Sequence, residues 1–561
     1  MAELLFVAAM AMGAVCWFTA ARVPSGTGVL AGGVALVCAV WIARDSSGLG
    51  FSLKPRADTL AVCAAATALR LPALLAPAGF VGADGSLQAF LALGLLHGLR
   101  PAPIFLSGSS YEGSLKAHLA ASLGAIVGYD DIARLLVVAS LLLWFVFIAS
   151  TMALARRIAG PGAGVVAGGF VALSPRFATV FSVSNAGPYA DALGLGTLAL
   201  AWTARLLDNG SGPTRREYFG VGALLGVAFW QQPIVISYAA VAIGALLLDA
   251  LWNRRIAFLA IAPGLFLGRL PATLHDLSTG GAATGVMTNY ARGAFGGLSL
   301  SDQIVGTLTW AFPVVFAGLS GDTALSDVAR GLIGALCVAL VVWFAASHAA
   351  GLLKGLGVLR IGPALWPLAH FGAALALVWL VASDGQYTRP RYFLPLIGAF
   401  AIMLGAGVAR LLSISRALGV ILAVLVLGWN VASNIPRMRE GIAADRELRA
   451  LAESIEGRGL KTGYADFLIA GPISMVTNER VTVVGLLGPT NGEHLSRQID
   501  LVAGQGPDFF LTRPEEEAQL AHRFETLGVT FETHGASLRI FCKFSRRVSI
   551  EEVMGFRDGT E

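Results

Sequence analysis

Long apolar runs separated by short polar segments dominate the first 434 residues of the chain. A transmembrane helix needs about 20 mostly apolar residues, and tilting relaxes this length. The pattern therefore predicts about thirteen transmembrane helices. They are expected at residues 4–20, 27–43, 58–77, 132–152, 161–178, 189–207, 218–231, 233–251, 256–270, 329–347, 363–382, 392–411 and 417–434.

One further apolar stretch, residues 303–319, is expected not to cross the membrane. If it crossed, Asp322 and Asp327 would lie in the cytoplasm with no basic residue before Arg330. The stretch is therefore interpreted as a helix that lies on, or dips into, the outer surface.

Lysine and arginine in the loops predict the orientation of the chain, because basic residues near membrane ends stay in the cytoplasm. One set of alternate loops carries fourteen of them, whereas the short loops of the other set carry three. Those three are Arg22, Arg389 and Arg391. The N-terminus is therefore predicted to be cytoplasmic. With an odd number of helices, the large loops 78–131 and 271–328 and the C-terminal tail 435–561 are predicted to be extracytoplasmic.

Composition agrees with a membrane protein and separates the tail from the rest. The chain is 56% hydrophobic and 13% charged, with a mean hydropathy of +0.71, whereas about a quarter of the residues in soluble domains are charged. Residues 435–561 nevertheless hold 34 of the 75 charged side chains. We therefore predict a membrane domain, residues 1–434, and a soluble domain, residues 435–561. The tail is slightly acidic and the net charge of +5 comes from membrane loops, so nucleic-acid binding is not expected.

The tail alternates strand-like and helix-like segments, which is typical of a small α/β domain. Thr512 and Glu515 have the spacing of a capping box, with Pro514 in the first turn, and predict a helix to about Leu527. The tail contains no glycine-rich phosphate loop or catalytic dyad, so its role is not predicted. The expected strands are 462–467, 481–485, 509–511, 529–532 and 538–544, and the first helix is 468–477.

Two carboxylates make the first predicted outer loop a candidate for chemistry. Asp84 comes soon after a membrane helix, and Glu112 lies further along the same loop. A carboxylate at a low-dielectric boundary can serve as a general base. The alternative interpretation is a solvated loop aspartate and a glutamate that caps a helix.

Six short motifs follow one another over residues 58–485. They are Leu69-Arg70-Leu71, Asp84, Tyr111-Glu112-Gly113-Ser114-Leu115, Trp230-Gln231-Gln232-Pro233, Thr388-Arg389-Pro390-Arg391-Tyr392-Phe393-Leu394-Pro395 and Gly463-Tyr464-Ala465-Asp466-Phe467. In type and order they resemble the C-type (GT-C) glycosyltransferase superfamily. Within it, the resemblance is to the branch that uses polyprenyl-phosphate sugars, which includes protein O-mannosyltransferases and the aminoarabinose transferases of lipid A. The family often has an Asp-Glu pair in the first loop, whereas Asp84 is followed by Gly85 here.

The resemblance implies a polytopic α-helical membrane protein that performs an inverting glycosyl transfer on the outer face. By this resemblance Asp84 activates an acceptor hydroxyl, which attacks the anomeric carbon of the lipid-linked sugar, and Glu112 is the second acid. Arg389 and Arg391 would bind the polyprenyl phosphate that leaves, through charge-assisted hydrogen bonds. Ordinary anchoring at the membrane interface is the alternative for both arginines.

Further side chains are candidates for contact with substrate. An arginine within a spanning helix, such as Arg70, is costly unless it meets a phosphate or a carboxylate, or snorkels. Lysines near membrane ends often snorkel, and a lone histidine often only packs in its helix. The candidates are Arg70, Tyr111, Lys116, His118 and Tyr392. The sequence requires no cofactor; Asp84 and Glu112 permit a divalent metal, although no cluster at ligand spacing calls for one.

The expected activity is that of a hexosyl- or pentosyltransferase in the inner (cytoplasmic) membrane. It would move a sugar from a polyprenyl-phosphate carrier to a glycan, lipid or protein acceptor. Two alternatives stay open: a multi-pass transporter or flippase of a lipid-linked glycan, and a non-catalytic assembly protein of a cell-envelope pathway. Transport is disfavoured because, Arg70 apart, the charges of the predicted spans lie at their ends.

Overall fold

The structure, a computed structural model, describes most of the chain from Ala57 onward. The described residues are 57–98, 104–106, 111–183, 187–208, 212–281, 285, 299–319, 327–348, 365–381, 390–485, 502, 506–535, 538–549 and 552–553. The predicted spans 4–20 and 27–43 and the candidate Arg389 lie outside these residues.

The described part is mostly helical and ends in a small sheet. Its helices are α1 Ala57–Leu75, α2 Ala78–Leu96, α3 Leu115–Val127, α4 Ile132–Ala172, α5 Arg176–Phe181, α6 Tyr189–Asp208, α7 Arg215–Gln231, α8 Ile236–Trp252, α9 Ile261–Ser278, α10 Leu300–Gly306, α11 Phe312–Ala317, α12 Asp327–Ser347, α13 Leu365–Val381, α14 Leu396–Ile414, α15 Arg416–Gly457, α16 Phe467–Val476 and α17 Glu517–Thr526. The strands are β1 Thr462–Ala465, β2 Thr482–Gly485, β3 Phe509–Thr512, β4 Glu532–His534 and β5 Arg539–Cys542.

Eight helical segments among the described residues are long and apolar enough to cross a membrane. They are Ala57–Leu75, Ala78–Leu96, Ile132–Ala172, Pro233–Trp252, Ile256–Ser278, Arg330–Ser347, Leu396–Ile414 and Arg416–Gly457. Seven of them overlap predicted spans, whereas Ala78–Leu96 lies in the predicted outer loop 78–131. Their length and apolar composition agree with a multi-pass membrane protein.

Helix α4 contains the predicted span 132–152 and most of the predicted span 161–178, and it ends at Ala172. The helical conformation breaks at Gly160, whose φ of 84° favours glycine, and Pro161 then restarts the helix. A Cβ atom on Gly168 would collide with the side chain of Met152, so the two halves of α4 pack against each other. The sequence-based division into two helical segments is thus confirmed, with a sharp bend at the expected break.

The stretch 303–319 packs into the helix bundle, and whether it lies on or dips into the outer surface stays a prediction. It forms α10, a π-helical turn at Thr307–Ala311 and α11. Phe316 stacks on Phe400 of α14 with ring centroids 4.2 Å apart, and Phe312 is also buried. The reason is the spacing of four between the two phenylalanines, which puts both rings on one helix face and into the core of the bundle.

The first predicted outer loop is largely helical. Fourteen of the nineteen residues of α2 are buried. It packs against the tail: a Cβ atom on Gly471 of α16 would collide with Ser86. The contact with α16 covers part of α2, in agreement with its mostly apolar sequence.

Helix α15 carries the chain from the membrane part into the tail without a break. It is 42 residues long, and the predicted domain boundary at 434/435 falls inside it. The carboxylate of Asp445 on α15 accepts a hydrogen bond of 2.9 Å from the backbone N–H of Ala78, in the first turn of α2. Arg449 binds both Asp445, at 2.8 Å, and Asp131 at the start of α4, at 2.6 Å. This polar network ties the tail to α2 and α4.

The tail has the predicted α/β character. Its five strands lie in the order β2-β1-β3-β5-β4, with β1 parallel to both β2 and β3 and the remaining pairs antiparallel. The predicted capping box is wrong: Thr512 remains in β3 opposite Arg539, and its hydroxyl donates to Glu516 at 2.7 Å. Because Thr512 is fixed in the sheet, Arg513 precedes a short 3₁₀ turn that leads into α17.

Candidate active site

Asp84 is exposed and lies just after a break in α2. Gly82 has φ 67° and ψ −178°, a conformation outside the helical region that glycine adopts readily. The helix restarts after Gly82, so Asp84 belongs to the first turn of the restarted segment. A negative charge at that position is stabilised by the helix dipole.

The segment that carries Glu112 is held by the Trp230-Gln231-Gln232-Pro233 motif. The backbone N–H of Gly113 donates to the carbonyl of Gln231 at 2.9 Å, and that of Leu115 donates to the Gln231 side chain at 3.1 Å. Gln232 donates to the carboxylate of Glu112 at 3.4 Å. A Cβ atom on Gly113 would lie 2.6 Å from the Gln231 side chain, so a glycine is needed there. Two motifs that are distant in the sequence thus form one site.

The charge of Asp84 acts on Glu112. Burial and the negative charge of Asp84 raise the pKa of Glu112. Arg391, Gln232 and Lys116 lower this pKa, but by less, so that it stays above its usual value. Asp84, Arg391 and Lys116 thus lie within electrostatic range of Glu112.

The raised pKa of Glu112 predicts a stabilising effect of Glu112→Gln. The folded protein binds this proton more tightly than the unfolded chain. The stability due to the proton is therefore fully present below the unfolded pKa, about 4.3, and is lost as the pH rises through the folded pKa. We expect Glu112→Gln to raise the melting temperature in detergent more at pH 7 than at pH 4. An equal change at both pH values, or the same pH-dependent gain for the exposed Glu525→Gln control, would contradict this account.

Lys116 is completely buried and therefore does not snorkel. Its ammonium group donates to the carbonyl of Gly187 at 3.1 Å and lies 3.9 Å from a carboxylate oxygen of Asp191, which is also completely buried. Sequence reasoning missed Asp191. Its signal was a lone carboxylate at the start of the apolar run 189–207, where burying a charge without a counterion is costly.

Arg391 lies in the 3₁₀ turn Pro390–Phe393, directly before α14. Its guanidinium carbon is 5.4 Å from the centre of the Tyr392 ring, which is a cation–π contact. Tyr111 and Tyr189 also lie within electrostatic range of Arg391. The structure thus brings three of the predicted residues, Arg391, Tyr392 and Tyr111, to one place beside Glu112.

Arg70 and His118 have partners within the protein. Arg70 is fully buried on α1 and donates at 2.6 Å to both the Ser182 hydroxyl and the Ala172 carbonyl, and at 3.1 Å to the Ser174 hydroxyl. The His118 ring nitrogen Nδ1 lies 2.9 Å from the Ser114 carbonyl, one turn earlier. These contacts join α1 to α4 and α5 and hold the start of α3. A role of either side chain in substrate binding stays a prediction.

Within the described part of the chain, no three His, Cys, Asp or Glu residues are grouped as they would be around a metal ion. Asp84 and Glu112 supply two carboxylates. A hard divalent cation takes six or more oxygen ligands, so one bound there would complete its shell with water or substrate oxygens.

Comparisons with protein-family models and with curated protein sequences give no match. The structure, in contrast, is similar to the crystal structure of ArnT from Cupriavidus metallidurans bound to undecaprenyl phosphate. The TM-score is 0.50 and the sequence identity 12%, over 84% of this chain and 97% of that chain. The chain has the GT-C fold. The resemblance suggested by the six motifs is thereby confirmed at the level of the fold.

Two structures of the Archaeoglobus fulgidus oligosaccharyltransferase show a weaker similarity. The complex with zinc and sulfate has a TM-score of 0.48 at 13% identity, over 87% of this chain and 72% of that chain. AglB in complex with an inhibitory peptide and a dolichol-phosphate has a TM-score of 0.44 at 13% identity, over 88% of this chain and 77% of that chain.

Proposed function

We propose that the protein is an inverting membrane glycosyltransferase that moves a hexosyl or pentosyl group from a polyprenyl phosphate to an acceptor. The observation that carries this proposal is the cluster of Asp84 and Glu112 beside Arg391 and Lys116, in a chain with the fold of ArnT. A base and cations at one site are what such a transfer needs, and the solved ArnT binds undecaprenyl phosphate. The acceptor is a glycan, a lipid or a protein.

In the proposed reaction, the acceptor hydroxyl attacks the anomeric carbon while the bond from that carbon to the phosphate oxygen breaks. Asp84 takes the hydroxyl proton, and its exposure leaves it accessible to an acceptor. The electron pair of the broken bond goes to the phosphate, whose negative charge increases. Arg391 and Lys116 stabilise this charge, and Glu112 shares the site with Asp84 as the second acid. Tyr111 and Tyr392 hold Arg391 in place.

We further propose that the protein lies in the inner membrane, with its N-terminus in the cytoplasm and its tail and active site outside. The distribution of basic residues supports this orientation. The packing of α2 against α15 and α16 supports a common side for Asp84 and the tail. The acceptor and the sugar donor would then meet on the outer face.

Arg391→Ala is expected to raise the apparent Michaelis constant for the lipid-linked donor and to lower turnover. Both change because the guanidinium binds phosphate oxygens whose charge grows in the transition state. Arg391→Lys should restore little, since lysine cannot form the bidentate fork. The measurement is donor titration in nanodiscs, with the exposed Arg513→Ala in the tail as control. Parental donor dependence in Arg391→Ala would remove Arg391 from the phosphate site.

A further inference from the structure

An apolar groove of about 470 Å³ lies between α1 and α15, away from the acidic cluster. Ala65, Leu69 and Pro72 line it on α1, and Ile435 and Met438 line it on α15. These positions repeat at spacings of three and four on each helix, so each helix presents one continuous stripe to the groove. The shape is that of a slot along two neighbouring helices.

The groove crosses the predicted outer end of a membrane span. On α15 it extends from Val431 to Ile442, which at 1.5 Å per residue is about 16 Å, whereas the predicted span ends at residue 434. On α1 three of its four lining residues belong to the outer half of the predicted span 58–77. An acyl chain would therefore enter the groove from the outer leaflet.

An arginine lines the groove one turn before Ile442, its last lining residue on α15. Arg439 lines the groove and is exposed, and no salt bridge to it is formed by the residues that the structure describes. Two neighbouring arginines, Arg176 and Arg437, share the single carboxylate of Glu440, at 3.2 and 4.0 Å. Among the residues that the structure describes, Arg439 therefore gives the groove a positive charge that no salt bridge offsets.

We propose that the groove binds one anionic phospholipid, with an acyl chain between α1 and α15 and the headgroup phosphate on Arg439. An apolar slot that crosses the predicted membrane boundary and carries, just beyond it, a guanidinium without a salt bridge is complementary to such a lipid in shape and charge. The site is independent of the proposed transferase activity, because none of the acidic-cluster residues lines the groove.

The proposed role of the Arg439 charge is tested with the purified full-length protein. Binding is followed by native mass spectrometry during titration with phosphatidylglycerol or phosphatidylcholine. Wild-type protein should bind phosphatidylglycerol preferentially. Arg439→Gln should weaken its binding about five- to tenfold and leave phosphatidylcholine unchanged. Arg446→Gln, an exposed arginine two turns later on α15, serves as control. Equal affinity of the wild type for both lipids, or equal losses in the two arginine variants, would overturn the proposal.

The proposed position of the acyl chain in the groove is tested with a substitution that fills the groove with a large side chain. Ala68 is exposed and lines the groove, whereas Ala64, one turn earlier on α1, is exposed and does not. Ala68→Trp should therefore reduce the binding of phosphatidylglycerol, and Ala64→Trp should not. Both substitutions are at exposed positions and spare the core, so the melting temperature should stay close to that of the parent. Unchanged lipid binding in Ala68→Trp would show that the acyl chain does not lie in this groove.

Discussion

Asp84→Asn is expected to lower sugar transfer at least about 100-fold and to leave folding and membrane insertion intact. The substitution keeps the volume of the side chain and removes its basicity, and general-base catalysis typically contributes about 10²–10⁴-fold. Asp84 is exposed, so few protein contacts are lost. The measurement is turnover of lipid-linked donor under single-turnover conditions, together with the melting temperature of the purified variant.

A matched control is available in the same predicted outer loop. Asp130 is also exposed, and only its backbone carbonyl, not its carboxylate, accepts the hydrogen bond from Asn478. Asp130→Asn should therefore keep parental turnover. If Asp84→Asn retained more than about a tenth of the activity, a role as general base would be untenable. A loss of the same size in both variants would indicate a general effect on the loop.

Lys116→Met is expected to have the largest effect on stability. It leaves the carboxylate of Asp191 buried without its cation, and breaking a buried ion pair in this way costs about 3–5 kcal/mol. Since Lys116 also faces Glu112, transfer activity should be lost as well. Thermal unfolding in detergent and donor turnover are the two measurements.

The double variant Lys116→Met/Asp191→Asn separates the two effects. Removing the second charge should recover most of the stability, because no uncompensated ion remains. Activity should stay low, since the ammonium group proposed to stabilise the phosphate is still absent. Recovery of both stability and turnover would mean that Lys116 only balances Asp191 and takes no part in the reaction.

Local patterns in the sequence predicted most of the elements. The strands expected at 462–467 and 481–485 correspond to β1 and β2, and the break expected between 152 and 161 is the bend at Gly160. Such elements depend on neighbours within a few residues, either through side-chain periodicity or through the conformations allowed to glycine and proline. For this reason they can be predicted without knowledge of the tertiary structure.

Partners of the buried charges could not be predicted in the same way. Asp191 pairs with Lys116 from 75 residues away, and Arg70 donates to Ser182 across 112 residues. Nothing in the local sequence of Arg70 distinguishes a hydrogen-bonded core arginine from one that meets a lipid phosphate. Such contacts are supplied only by the tertiary fold, and the roles predicted for Glu112 and Arg391 stay predictions.

The hydrogen bond between Ala78 and Asp445 also bears on how the protein is made. Its two residues are 367 positions apart, and translation proceeds at about 5–20 residues per second, so α2 exists for roughly 20–70 s before its partner on α15 has been synthesised. During that time the largely apolar α2 has neither Asp445 nor α16 to pack against. The helix segment that carries Asp84 thus reaches its final environment only near the end of synthesis. A nascent chain should accordingly be inserted into the membrane well before it becomes competent for the proposed transfer.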